Sequence, residues 1–200
     1  MTRRADPGVC DSVGKIICPT LSQVPIPVRL IGSDSISRAV LSKESAMSHT
    51  ARIPLFTLAP TSLKAMIALS GSVRHSTLGV RLIELVHLRV SQVNGCGVCV
   101  DMHWRDLVRQ GADPRHLNAV AGWREAPFFD ARERAAFAWA DAVNALPQRD
   151  DTDAAYPALR EQFNETEIAE LGYVISAIKG WNLLNISLRC QIPEVPAPGF

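Results

Sequence analysis

The sequence lacks any apolar run long enough to cross a membrane. No uninterrupted stretch approaches the roughly 18 residues that a transmembrane helix needs, and no apolar segment follows the arginine pair in "MTRRADPGVC". A charge excess is also missing, because the 200 residues carry a net charge of only +1. We therefore expect a cytoplasmic protein with neither a membrane nor a nucleic acid as a partner.

Cysteines are few and unevenly placed, with five in the whole chain. Their odd number and wide scatter argue against the disulfide framework that stabilises small secreted domains. Two of them, Cys96 and Cys99, stand three positions apart. In a reducing compartment such a pair is more often catalytic or metal-binding than structural. Cys190, near the end of the chain, is interpreted as a spectator.

Composition divides the chain into a central region and two tails. Residues 1–48 are rich in Ser and Pro and lack a sustained hydrophobic period, which predicts a disordered or loosely attached N-terminal tail. Residues 193–200 are predicted to form a Pro-rich C-terminal tail. Because 47% apolar and 20% charged residues are typical of a globular protein, residues 49–192 are expected to form one domain.

The central region shows helical periods and capping signals but no strand–turn–strand pattern, so we predict an all-α helical bundle. Apolar residues at spacings of three and four predict an amphipathic helix over residues 80–93, which ends at Gly95. A following helix is predicted over residues 96–110, closed by Gly111. Further helix starts are predicted at Pro60 (running to about Ser70), Asp113, Asp130 and Asn164, with Pro157 in the first turn of a helix near residues 153–163.

The last predicted helix runs from Asn164 to about Leu188 and contains Gly172 and Gly180. Each interior glycine lowers helix stability by about 1 kcal/mol relative to alanine. Close packing of a neighbouring helix would explain both glycines.

The stretch "NGCGVCVDMHW", residues 94–104, carries the candidate chemistry. On a helix that starts at Cys96, Cys99 and His103 share a face about 60° wide with it, because successive residues are about 100° apart. The side chains of Cys99 and His103, four positions apart, can meet. The free N–H groups and the dipole of a first helical turn favour a thiolate, and the histidine can accept the thiol proton and return it.

These residues fit a dithiol peroxidase. A thiolate attacks the O–O bond of a peroxide and becomes a sulfenic acid, and the second cysteine condenses with it to form a disulfide and release water. An external dithiol then reduces the disulfide. The residues alone leave open which cysteine attacks, although His103 beside Cys99 favours Cys99.

Glu84 lies twelve residues before Cys96, on the preceding predicted helix. A carboxylate there could orient His103 or relay its proton. The alternative is a partly exposed glutamate that pairs with Arg81 or Arg89.

Zinc is the main competing interpretation of the cluster. Cys96, Cys99 and His103 offer three soft donors, and Glu84 or His87 could supply a fourth. Structural zinc sites generally draw ligands from two segments, whereas the certain donors here come from one helix. We therefore expect neither a metal nor a cofactor, and we interpret His87 and His49 as ordinary surface or partly buried histidines.

The pattern Glu84-x11-Cys96-x-x-Cys99-x-x-x-His103 resembles the signature of the alkylhydroperoxidase D-like, carboxymuconolactone decarboxylase family. The resemblance extends through "LIELVHLRVSQVNGCGVCVDMH", "AGWREAPFFDARERAAFAWADAV" and "AIKGWNLLNISLR" and covers residues 49–192. It implies an all-α homo-oligomer, a trimer or hexamer, with antioxidant thiol peroxidase activity on small organic hydroperoxides. By that likeness Cys99 is the peroxidatic cysteine, Cys96 is the resolving cysteine, and Glu84 and His103 form a proton relay. The family precedent also suggests a lipoyl-type or thioredoxin-like dithiol as the reductant.

One departure from the family pattern is Val98. The well-studied peroxidases of the family have a histidine immediately before the second cysteine, and many relatives have tyrosine, so one relay or water-holding group is missing here. The decarboxylases of the family lack the cysteine pair. The presence of both cysteines argues against that activity here. A lyase acting on a small carboxylated ring, with His103 or Glu84 as the acid–base group, is the first alternative function. A non-enzymatic zinc-binding or redox-sensing module is the second.

Overall fold

The computed structural model describes residues 50–194, which contain eight α-helices and no strand, so the all-α prediction is confirmed for this part of the chain. None of the helices described is both long and apolar enough to span a membrane. His49 and most of both predicted tails lie outside the described residues, and the domain boundaries stay a prediction. The helices are α1 (Leu55–Leu58), α2 (Pro60–Arg74), α3 (Val80–Asn94), α4 (Gly97–Arg109), α5 (Pro114–Asn118), α6 (Ala131–Ala145), α7 (Thr152–Gln162) and α8 (Glu165–Ser187), with a 3-10 turn at Ala119–Gly122.

Helix α3 is the central element, and it packs against α4, α6 and α8. The predicted apolar stripe is only partly right, because Ile83, Val86 and Val90 are buried whereas Val80 and Val93 at the two ends are exposed. Leu85 and Leu88 are buried as well, in a second apolar cluster. A helix enclosed from two sides buries more than one stripe, which a single-face period cannot indicate.

The junction between α3 and α4 places the cysteine pair. Gly95 adopts a left-handed conformation with φ of 74° and ends α3, as predicted. Cys96 is the extended N-cap of α4, which begins at Gly97, one residue later than predicted. The predicted common helical face therefore applies to Cys99 and His103 but not to Cys96. The C-x-x-C sequence therefore lies at a helix N-terminus, with Cys99 in the first turn.

Capping boxes begin both α6 and α8. At α6, the backbone N–H of Glu133 donates to Asp130 Oδ1 at 2.8 Å, and the backbone N–H of Asp130 donates to Glu133 Oε2 at 3.2 Å. At α8, the same reciprocal bonds join Asn164 and Glu167, each at 3.0 Å. Both predicted starts are confirmed, because the capping-box pattern depends on local sequence alone.

Two helix boundaries differ from the prediction. Helix α2 continues past Ser70 to Arg74, since buried Val73 anchors its last turn in the core. Pro157 is the sixth residue of α7 rather than part of its first turn. The helix tolerates this proline because the carbonyl that loses its partner belongs to Asp153, and both residues are exposed to water.

The two interior glycines of α8 have different surroundings. A Cβ atom on Gly180 would lie 3.2 Å from Met66 Cε of α2, so close helix packing accounts for this glycine. A Cβ atom on Gly172 would meet no atom of the described residues within 4 Å. Close packing is therefore the wrong explanation for Gly172, and nothing in the structure explains it.

We predict that Gly172→Ala raises the free energy of unfolding by about 0.5–1 kcal/mol, because alanine has the higher helix propensity and the space is open. Gly180→Ala should raise the free energy of unfolding by less, because the added methyl group has to displace the end of the Met66 side chain. Urea denaturation of the two variants beside the parent protein measures both effects. An equal gain in both variants would contradict the packing assigned to Gly180.

Candidate functional site

Cys96 and Cys99 form a disulfide at the start of α4, with their Cα atoms 5.3 Å apart. This separation lies within the range that disulfide geometry allows. Both cysteines are almost completely buried, with 1% and 0% of their surface exposed. The pair can therefore exist in an oxidised form within one chain, as a dithiol–disulfide cycle requires.

Glu84 is buried and has two partners, and neither is one of the two arginines that the alternative interpretation named. Its Oε2 atom lies 2.6 Å from Nδ1 of His103, and its Oε1 atom accepts a hydrogen bond from Arg74 at 3.2 Å. Arg81 and Arg89 pair with acidic residues of α6 instead. Three helices thus contribute to one buried cluster of charged and polar side chains, in which Glu84 and His103 meet as predicted.

The contact with Glu84 determines how His103 can act. A carboxylate accepts hydrogen bonds, so Nδ1 of the imidazole carries the hydrogen and donates it to Glu84. The other ring nitrogen, Nε2, is buried and has no hydrogen-bond partner among the described residues. It is the nitrogen left to exchange a proton with another group, and Cys99 lies one helical turn away.

His87 also belongs to this cluster, so its interpretation as an ordinary surface or partly buried histidine is wrong. Its ring centroid lies 4.7 Å from that of His103, and only 7% of its surface is exposed. Burial, then the neighbouring His103 and Arg74, hold the pKa of His87 well below its usual range, against an opposing effect of the Val174 backbone. The available sequence signal was its position three residues after Glu84, on the same side of α3.

Glu84, His87 and His103 also form a possible donor set for a metal ion, since one ligand atom from each lies within 4.8 Å of the others. Two imidazoles and one carboxylate suit divalent transition metals. Both oxygens of Glu84, however, already have partners in Arg74 and His103. An ion bound directly by this carboxylate would have to compete with a guanidinium or break a short hydrogen bond. The geometry therefore fits a hydrogen-bonded acid–histidine pair better than a metal centre.

Asn185 of α8 is a site residue that the motif analysis missed. Its Nδ2 donates a hydrogen bond to Sγ of Cys99 at 3.4 Å, across 86 residues of sequence. Asn185 is buried, and its Oδ1 has no hydrogen-bond partner in the described part of the chain. The only sequence signal was a pair of asparagines, Asn182 and Asn185, one turn apart in the mostly apolar second half of α8.

The surroundings of the disulfide are closed and largely apolar. Val98, at the position where the family resemblance leads one to expect a polar group, packs against the apolar core. A Cβ atom on Gly97 would lie 3.4 Å from Cδ1 of Ile192, so the chain beyond α8 passes close to the start of α4. A substrate or reductant must be small, or must displace this segment, to reach the sulfur atoms. Cys190 remains a free thiol, and partial burial raises its pKa.

We predict that burial of His87 makes the protein less stable in acid. The unfolded chain binds a proton at this residue below a pKa of about 6.5, while the folded chain does not. The stability contributed by neutral His87 is therefore complete above that pH and is lost as the pH falls toward the lower folded-state pKa, at up to about 1.4 kcal/mol per pH unit. Urea titrations between pH 7 and pH 5 should give a shallower decline for His87→Gln. An unchanged slope would show that the native protein already protonates His87.

Two solved structures share the fold of this chain, and a curated protein is similar to it in sequence. The crystal structure of ATU0492 from Agrobacterium tumefaciens, a protein of unknown function proposed to be the antioxidant defence protein AhpD, is 36% identical with a TM-score of 0.70. The similarity covers 72% of this chain and 99% of that one. The uncharacterized protein YdfG of Bacillus subtilis strain 168 is 28% identical over 68% of this chain and 93% of its own length. The debrominase Bmp8 has the same fold at 20% identity, with a TM-score of 0.61 over 68% of this chain and 73% of that one.

A family model gives the same assignment from sequence. Residues 60–142 match the carboxymuconolactone decarboxylase family, and the matched segment includes Glu84, both cysteines of the C-x-x-C pair and His103. Together with the similarity to ATU0492 over nearly all of that protein, this match establishes the relationship. The chain belongs to the alkylhydroperoxidase D-like, carboxymuconolactone decarboxylase family.

Proposed function

We propose that this protein is a thiol-dependent peroxidase that reduces small organic hydroperoxides through a Cys96–Cys99 dithiol–disulfide cycle. The observation that carries the proposal is a disulfide at a helix N-terminus with a buried Glu84–His103 pair one turn away. Family membership supports an enzyme with a peroxidase-related or carboxymuconolactone decarboxylase-like function. The peroxidase reaction is the more specific choice, since it uses both cysteines.

The first step oxidises Cys99. In the reduced protein the Cys99 thiol gives its proton to Nε2 of His103, and Glu84 stabilises the resulting imidazolium. The N-terminus of α4 favours the thiolate. The thiolate attacks the terminal oxygen of the hydroperoxide, a sulfur–oxygen bond forms and the O–O bond breaks. The alkoxide that leaves takes the proton from His103, which yields an alcohol and a sulfenic acid.

The second step forms the disulfide. The Cys96 sulfur attacks the Cys99 sulfur, the sulfur–oxygen bond breaks, and the departing hydroxide takes the Cys96 proton through His103 and leaves as water. An external lipoyl-type or thioredoxin-like dithiol then supplies two electrons and two protons to restore both thiols. The cycle balances without a metal or an organic cofactor. Both sulfur atoms are buried, which favours small substrates. The cytoplasmic location expected from the sequence would supply such a reductant.

We also propose that the protein assembles as a homo-trimer or homo-hexamer, as the family resemblance implies. Helix α8 supports this proposal because it leaves Tyr173 and Leu183 more than 60% exposed and Ile186 45% exposed. Large apolar side chains that stay exposed on one helix are typical of a subunit interface.

We predict that light scattering on the purified protein gives a mass three or six times that of one chain. Leu183→Glu should lower this mass, because a carboxylate would be desolvated at the interface. Glu170→Gln, elsewhere on the same helix, should leave it unchanged. A monomer at micromolar concentration would contradict the proposal.

We predict that Cys99→Ser reduces peroxide consumption to the background rate, because serine cannot supply the thiolate. Glu84→Gln and His103→Gln should each lower kcat/KM by roughly 10²–10⁴-fold, the usual contribution of an acid–base group. The assay follows loss of cumene hydroperoxide with excess dithiothreitol. Cys190→Ser, which removes the free thiol of the described region, should retain the parent rate.

Equal rates for Cys99→Ser and the parent protein would exclude this mechanism. The two alternative functions give different results in the same experiments. A lyase should keep its activity on a small carboxylated ring after both cysteines are replaced with serine. A zinc module should contain stoichiometric zinc by elemental analysis and should not consume peroxide.

A further inference from the structure

We propose that Asn185 is a catalytic residue of the thiol site, whose amide N–H holds the ionised sulfur of Cys99 and whose carbonyl accepts the O–H of the hydroperoxide. The inference rests on the proposed peroxidase reaction and deepens it. It adds a group that lies outside both the C-x-x-C motif and the Glu84–His103 pair.

The contact with sulfur supports the first role. Asn185 Nδ2 donates to Cys99 Sγ at 3.4 Å, and both residues are buried. A disulfide sulfur is a weak acceptor, whereas a thiolate carries a full negative charge. The same N–H therefore makes a stronger, charge-assisted hydrogen bond after reduction. This contact stabilises the thiolate relative to the neutral thiol, and it independently favours Cys99 over Cys96 as the attacking residue.

The position of Asn185 is fixed by its helix. One turn earlier on α8, Asn182 donates to Ser91 Oγ at 3.1 Å and accepts from Asn94 at 2.9 Å. Ser91 and Asn94 both belong to α3, so these bonds set the position of α8 against the helix that carries Glu84. The amide of Asn185 is thus held on a rigid element, as a catalytic hydrogen-bond donor requires.

The carbonyl oxygen supports the second role. Asn185 Oδ1 is buried and has no hydrogen-bond partner among residues 50–194. A buried polar atom without a partner costs free energy that an apolar side chain would not. Because the other end of the same amide contacts the sulfur, this acceptor lies beside the place where the substrate reacts. A hydroperoxide supplies the matching group, an O–H on the oxygen that the thiolate attacks.

The reaction balances with this arrangement. The thiolate attacks the hydroxyl oxygen of the hydroperoxide, the sulfur–oxygen bond forms and the O–O bond breaks. The hydrogen stays on the transferred oxygen, still bonded to the Asn185 carbonyl in the sulfenic acid. The alkoxide receives its proton from His103. The substrate class is therefore a peroxide with a free O–H, since a dialkyl peroxide has no hydrogen for this carbonyl to accept.

Thiol alkylation tests the first role. The reduced full-length protein is treated with iodoacetamide across a pH series, and mass spectrometry of the Cys99 peptide gives the pKa of that thiol. Asn185→Ala should raise this pKa by about one unit, and Asn185→Asp, which has the same shape but a negative charge and no N–H, should raise it further. Ser176→Ala changes an exposed residue of the same helix and should leave the pKa unchanged.

Kinetics test the second role. At a pH where Cys99 is ionised in every variant, the substitutions no longer change the fraction of Cys99 that is present as thiolate. Under this condition kcat/KM for cumene hydroperoxide should remain about tenfold lower in Asn185→Ala, because its hydrogen bond to the substrate is lost. Ser176→Ala should match the parent protein.

Each outcome decides between the claims. An unchanged Cys99 pKa in Asn185→Asp, whose isosteric side chain preserves packing, overturns the inference even if Asn185→Ala fails to fold. The peroxidase proposal then still stands if the parent protein consumes peroxide. A different result is that the parent protein consumes no peroxide while the Cys99 pKa increases from the parent protein to Asn185→Ala and again to Asn185→Asp. In that case the proposed function fails and the contact between Asn185 and the sulfur is supported. Equal kcat/KM at high pH overturns the role of the carbonyl.

Discussion

The buried carboxylate of Glu84 constrains the rest of the site. A charge in a protein interior needs compensation, and removing one partner of a buried pair commonly costs about 3–5 kcal/mol. Arg74 from the end of α2 and His103 from α4 provide that compensation, so the charge ties three helices together. The same contact orients the imidazole and leaves its second nitrogen without a partner. One electrostatic requirement therefore both holds the helices in place and prepares His103 for proton transfer.

The cysteine pair depends on two further features of the bundle. Gly95 ends α3 in a left-handed conformation, and the chain turns at once into α4, which puts Cys96 and Cys99 at a helix N-terminus. Helix α8 then covers the pair from another side, and its asparagines make polar contacts where an all-apolar helix would make none. The sulfur atoms are consequently buried but lie next to hydrogen-bond donors. Such an environment suits a thiolate whose reactivity has to be controlled.

Local sequence was sufficient to predict several parts of this structure. The capping boxes at Asp130 and Asn164, the stop at Gly95 and the C-x-x-C at a helix start involve residues that are neighbours in the chain. The pairing of Glu84 with His103 was predicted from the resemblance to a known family pattern. One error came where packing overrides propensity, and another where water can replace a lost helical hydrogen bond. Helix α2 continues to Arg74 because Val73 is buried, and Pro157 lies inside α7 because the carbonyl it leaves unbonded faces water.

The residues that sequence reasoning missed are those whose role depends on distant contacts. His87 looked ordinary because its partner, His103, is sixteen residues away on another helix. The site thus contains a second imidazole from α3, although Val98 provides no polar group between the cysteines. Asn185 had only the asparagine pair on α8 as a sequence signal, because its contact with Cys99 spans 86 residues.

By itself, the sequence determined the helical class, the start of a helix at the C-x-x-C pair and the placement of Cys99 and His103 one turn apart on that helix. These properties follow from backbone geometry and from capping between near neighbours. Only the tertiary structure decided that Glu84 is buried, that Arg74 compensates its charge, and that His87 and Asn185 join the site. Burial and charge compensation depend on how helices pack, and a one-dimensional pattern does not specify which side chains meet across a core.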